Sequence, residues 1–359
     1  MSLTSYSEPE FSITRVLGKR AIVYLGILFL ALVLLLVVNA GEASAAGPTY
    51  VYDDITSDTN WTADDSPYIV NQSIAIQLGA TLTIEPNVTV MFDDGVGFTI
   101  FGTLDARGTT DEETLFTSNG STAWGAWDGL LFNETSTGSV LDHVYIQYAD
   151  SPIYIFRSSV TMSNLRISDY IGGGYMSPCA IYWESIFEPI TATISNIQIW
   201  NGSYTGIILW SQEGNVDLTL TDVMVRDISF GSGLGISANN SLQLSVSNFT
   251  AINMGWRGVV LLCDEGTIDT DFNSVAMDNL TSDGFMISSI GLSATFDDVR
   301  VNKSFGSGVF ANLYPNDTGI DLTFVGIALT NISNYGIYTN SPSSDISMEM
   351  NDVTMENIT

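Results

Sequence analysis

The chain holds a single histidine, His143, in the stretch LDHVYI. General acid–base chemistry near neutral pH falls first to such a side chain. Its place in a repeat, set out below, makes it instead a corner residue standing where Asn is usual. Carboxylates occur in pairs at Asp53–Asp54, Asp64–Asp65, Asp93–Asp94 and Asp297–Asp298. Neighbouring side chains of a strand point to opposite faces, so a pair in sequence is not a dyad in space. These acids read as solvated loop residues, with weak Ca²⁺ binding as their chemical alternative. Arg166, Arg226 and Arg300 read as ion-pair partners of neighbouring acids. No catalytic residue is assigned, no metal-ligand set is identified, and no cofactor is expected beyond weak Ca²⁺.

What positions these residues is a repeat. In TATISNIQIWNGSYTGIILW, Thr191–Trp210, apolar and small polar residues alternate, lose phase at Asn196, and resume. The same break recurs at His143, Asn164, Asn196, Asp222, Asn248, Ser274, Asp298, Gly326 and Asp352, with spacings of 21, 32, 26, 26, 26, 24, 28 and 26. The 32 contains the insertion IGGGYMSP, Ile171–Pro178. Two residues before each break, one after it and three after it, every residue is apolar, as in Ile194, Ile197 and Ile199. Positions −2 and +1 cannot share a face of one straight strand. The backbone must bend at the break, and Asn or Asp suits a left-handed bend. Asn164, Asn196, Asp222 and Asn248 are therefore corners. Five residues after the breaks lie Asp169, Asn201, Asp227, Asn253, Asn279, Asn331 and Asn357, a column able to bond as a side-chain ladder that Lys303 interrupts.

A third strand begins after a small residue, at Ala180, Gly206, Gly235, Gly258, Gly284, Gly308 and Gly336. A unit of three short strands cannot bury its inner face alone, whereas stacked coils can. The expected fold is all-β: a right-handed parallel β-helix with three strands per coil, preceded by an N-terminal hydrophobic signal or anchor helix. Cys179 and Cys263 would lie three coils apart, roughly 14 Å, beyond disulfide reach. They are expected to be free buried thiols.

Residues 68–109, YIVNQSIAIQLGATLTIEPNVTVMFDDGVGFTIFGTLDARGT, resemble the opening coils of secreted right-handed β-helix proteins of the pectin-lyase-like superfamily. The matching stretches are Gly79–Val90, with Asn87 where Gly is usual, and Gly102–Thr109, followed by Phe116–Phe132. The resemblance covers most of Pro67–Thr359 and implies a fold rather than an activity. Lyase-like chemistry in that superfamily implies Ca²⁺-holding carboxylates with an Arg base, and hydrolase-like chemistry implies paired Asp with Gly-His-Gly. Neither Gly-His-Gly nor Arg-x-Pro-x-x-Arg occurs here.

Two outward rows stand out. Two residues into strand three lie Tyr182, Ile208, Val260, Met286, Phe310 and Tyr338, with Trp210 close by and Ser237 interrupting. An apolar stripe on an outer β-face implies a partner, a sugar or a covering loop. The outward row of strand one is rich in Thr (Thr161, Thr193, Thr219, Thr295, Thr323), which invites an ice-binding reading that Asp271 and Glu349 spoil. Glycosylation sequons are many. Those in loops, Asn60, Asn119 and Asn316, are the better candidates, because a glycan on a ladder residue would break the ladder.

The net charge is −30, from 40 acids and 10 bases. Nucleic acid is excluded as a partner by repulsion. Residues 21–38 form an uncharged apolar run preceded by Arg15, Lys19 and Arg20 and followed by the small-x-small ASA of Ala43–Ala45. The run is a cleaved secretory signal or an uncleaved anchor, and either exports the remainder. The expected organisation is a cytoplasmic stretch over 1–20, the apolar run over 21–38, a cleavage region and linker over 39–66, N-terminal coils over 67–135 and regular repeats over 136–359. The last coil stops two residues past Asn357 without a cap, so the solenoid is expected to be incomplete at Thr359. The expected role is that of a secreted or cell-surface binding or structural protein, in adhesion or glycan recognition. Its partner would be a glycan or another surface protein, with membrane contact through residues 21–38 if uncleaved. The alternative is a lyase or glycoside hydrolase of acidic polysaccharide.

Overall fold

The computed structural model describes residues 47–172, 179–315 and 317–359. The expectations placed on residues 1–46, on residues 173–178 of the insertion and on Asn316 lie outside the described residues. Among the described residues the strands form an 18-stranded and an 11-stranded sheet, and the inter-coil pairings are parallel. The fold is an all-β parallel solenoid of about eleven turns. The only helix among the described residues is the single turn Ala63–Asp65. None there is long and apolar enough to cross a membrane.

The phase change seen in the sequence is a bend within one long strand. Val216–Ile228 buries Val216, Leu218 and Leu220, turns outward at Asp222, and then buries Val223 and Val225. Asp222 has φ 56°. All nine break positions have positive φ, from 49° at Asp298 to 65° at Gly326. A second left-handed residue follows five positions later in each coil, from Tyr148 through Asn201 to Asn357. Two left-handed corners per coil give the chain its change of direction without a long loop. The expected first two strands therefore run as one bent element in coils such as Ile190–Gly202, while the opening coils keep Thr81–Ile84, Thr89–Phe92 and Gly97–Ile100 separate.

Register follows the expected columns. Ile194 pairs with Leu220, Ile197 with Val223 and Ile199 with Val225, and each is buried. In later coils the first column becomes a ring stack, Phe272–Phe296 at 5.3 Å and Phe296–Phe324 at 5.0 Å between centroids. Pairing starts earlier than the stretch read as linker would allow: Thr49–Val51 already pairs with Tyr68–Val70. Ile55 and Trp61 are buried there, and Trp61 stacks on Tyr68 at 4.5 Å, so residues before 67 complete a coil.

Candidate functional site

The site lies on the outer face of the 11-stranded sheet, where the register differs from the expected one. Gly206 was expected to align with Gly235. The pairing instead sets Ile208 opposite Gly235 and Gly235 opposite Val260, so the strand opens at Gly233. Gly206, Gly233, Gly258, Gly284 and Gly308 form the true small-residue column. A Cβ at Gly233 would come within 2.9 Å of the Gly258 carbonyl oxygen, and one at Gly258 within 2.7 Å of the Gly284 carbonyl oxygen. The outward row therefore reads Tyr154, Tyr182, Ile208, Gly235, Val260, Met286, Phe310, Tyr338. Its interruption is Gly235, not Ser237, which sits in the next row opposite Trp210.

That glycine opens a depression of about 380 Å³ lined by Tyr182, Ile208, Trp210, Ser232, Trp256 and Val260, among others. The structure thus brings together Tyr182, Ile208, Trp210 and Val260 from the expected stripe. Met286, Phe310 and Tyr338 continue the row outside the depression, and Phe310 and Tyr338 stack on each other at 4.8 Å. Trp256 was missed by the sequence reading because it belongs to a turn, where no strand period marks it. Its guanidinium neighbour Arg257 lies 4.0 Å above the ring. Arg257 Nε donates to Asp283 Oδ2 at 2.9 Å, and Asp283 Oδ1 accepts from the Ser307 amide at 2.7 Å. This half-buried ion pair braces the turn and neutralises the cation beside the site.

At the other side, the Tyr154 hydroxyl donates to Glu184 Oε2 at 2.7 Å. Burial, then Glu184, pushes the phenols of Tyr154 and Tyr182 well above the usual range, so both remain neutral donors. The Tyr170 ring is buried under Gly202, and its hydroxyl donates to the carbonyls of Tyr204 and Thr205 at 2.8 and 3.1 Å, fixing the turn that enters the face.

The other expected residues take structural places. His143 is a corner with φ 51°, its Nδ1 3.2 Å from Asp142 Oδ1. The corner column is bonded: Asn196 Nδ2 donates to Asn164 Oδ1 at 2.6 Å, Asn164 Nδ2 to Asp142 Oδ1 at 2.7 Å, and Asn248 Nδ2 to Asp222 Oδ1. In the second column Asn201 donates to Asp169, Asn253 to Asp227 at 2.7 Å and Asn279 to Asn253 at 2.8 Å. At Lys303 the ladder steps sideways: Asn302 donates to Asp278 at 2.6 Å and accepts from Asn331 at 2.7 Å. Arg166, Arg226 and Arg300 pair with Glu113, Asp227 and Asp298. Asn60 and Asn119 are exposed and donate to Glu85 at 2.7 Å and Asp93 at 2.8 Å. Cys179 and Cys263 are buried, and the Cys179 thiol donates to the Ile181 carbonyl at 3.0 Å.

No family model matches the chain. Protein bark beetle of Drosophila melanogaster is 39% identical over 70 residues, which span 20% of this chain and 2% of that protein. Solved structures with a similar course include the periplasmic alginate epimerase AlgG, at 12% identity and TM-score 0.45 over 80% of this chain and 76% of that one. Another is endopolygalacturonase I from Stereum purpureum complexed with two galacturonate, at 11% identity and TM-score 0.42 over 81% and 93%. A third is the catalytic domain of GH87 α-1,3-glucanase in complex with nigerose, at 11% and 0.43 over 88% and 61%.

Proposed function

We propose that the protein is an exported right-handed β-helix, three strands to a coil, that binds glycan on the outer face of its 11-stranded sheet. The observation that carries this reading is the depression over Gly235, walled by Trp210, Trp256 and Tyr182. Aromatic faces beside hydroxyl and carboxylate groups suit a ligand with apolar ring faces and a polar edge. The apolar run at 21–38 with its basic flank supports export and a secreted or cell-surface location. A glycan array probed with the exported portion tests the reading. Trp210→Ala and Trp256→Ala should each weaken binding of the selected glycan by about tenfold or more, as the loss of an aromatic anchor does. Unchanged binding in both would remove the site.

One observation favours a second reading, cleavage of polysaccharide. Asp128 and Asp150 lie on adjacent coils, between the pairs Trp127–Ala149 and Gly129–Ser151, and line a cavity of about 280 Å³ with Tyr154. New reducing or unsaturated ends released from polysaccharide, and lost in Asp128→Asn, would establish that reading in place of simple binding.

A further inference from the structure

Building on the glycan-binding reading above, we infer that the ligand is an uncharged polysaccharide lying along the solenoid axis, seated on a ridge of turn aromatics, Tyr204, Phe230 and Trp256, that extends the depression across successive coils. The ridge follows from register. Gly202 pairs with Ile228 and Ile228 with Met254, and two residues beyond each stand Tyr204, Phe230 and Trp256. All three are open to solvent, at 41%, 71% and 45%. The Tyr204 and Phe230 rings lie 6.1 Å apart. Rings so exposed and so aligned are not core residues.

The direction of the ligand follows from the spacing. The ridge offers one ring per coil, a step of about 4.8 Å, close to the advance of one sugar in an extended chain. Across the axis the strands of the face are short, five to seven residues, as in Leu234–Ala238 and Thr205–Ser211. The ligand's charge follows from what lines the face. None of the residues lining the depression is Lys or Arg. Glu184 accepts from Tyr154, and the adjoining Arg257 is committed to Asp283. A uronate chain brings a carboxylate on every ring and would need cations to receive it, against a net charge of −30. A neutral chain needs only ring faces and hydroxyl partners. Such partners are at hand: Thr205 and Ser237 line the depression and are partly exposed.

Calorimetric titration of the exported portion with gluco-, manno- and xylo-oligosaccharides from dimer to hexamer, and with galacturonate hexamer, tests this. The expected result is a neutral hexamer that binds about tenfold or more tighter than its dimer, through added contacts along the ridge, while galacturonate hexamer fails to compete. Phe230→Ala and Tyr204→Ala should remove most of that length dependence, whereas Trp210→Ala should weaken dimer and hexamer alike. Binding that is lost in Trp210→Ala yet flat with length, or indifferent to Phe230→Ala, overturns the axial ridge while leaving the glycan reading intact. Tighter binding of galacturonate overturns the uncharged ligand. Loss of self-association in Phe230→Ala with saccharide binding intact assigns the ridge to a second copy instead. If no saccharide binds the unaltered protein, the parent reading falls with it.

Discussion

At the scale of single residues, the solenoid depends on side chains that accept left-handed backbone. Asn and Asp do so at modest cost and return a ladder bond; a lysine returns none. Lys303 nevertheless has φ 54°, and the ladder detours through Asn302 around it. Lys303→Asn should therefore raise stability by about 1 kcal/mol, from relieved strain and a direct ladder bond; denaturant unfolding reads the gain, and a loss would contradict the corner assignment. Asp142 starts the corner ladder. Burial acts to raise its carboxyl, but hydrogen bonds from Asn164 and Ser163, with His143 alongside, outweigh burial and hold it below the usual range. A lowered carboxyl stabilises the fold above its ordinary value of about 3.9, and that stabilisation disappears as pH falls through the lowered value. Asp142→Asn should flatten the fall in melting temperature between about pH 5 and pH 2; an unaltered slope would show that Asp142 does not carry it.

At the scale of the element, most of the long bent strand was legible in sequence because the inward rows obey a period of two on both sides of a corner. Ile194, Ile197 and Ile199 announce the bend by their spacing alone. The short strand was less legible for a physical reason. In GSGLGIS, Gly231–Ser237, glycines recur every second residue, so Gly233 and Gly235 fit the same alternation and only backbone pairing separates them. That two-residue slip hid the depression. Trp256 was hidden because turns have no period to betray an exposed ring. The two glycines differ in consequence. Gly233→Ala forces a Cβ to within 2.9 Å of the Gly258 carbonyl and 3.2 Å of Phe249. It should cost about 1–3 kcal/mol in overpacking. At Gly235 a Cβ would meet nothing nearer than Ile208 Cγ1 at 3.7 Å, so Gly235→Ala should be neutral or stabilising. Paired melting curves of the two variants check the register, and equal losses would contradict it.

At the scale of the whole molecule, stacked coils bury a continuous apolar interior and leave their function to the outer faces. The charge of −30 turns polyanions away, and the face over Gly235 offers rings and hydroxyls in place of cations. The central claim is that this face binds glycan in the space that a missing side chain leaves. Gly235→Val fills that space from the floor with a β-branched residue suited to a strand, and its Cβ meets nothing nearer than Ile208 Cγ1 at 3.7 Å. Affinity of this variant for the array-selected glycan, measured beside its melting temperature, is the most direct test. The account predicts binding lost by about tenfold or more with the melting temperature held or raised. Full affinity in a folded Gly235→Val protein would contradict it.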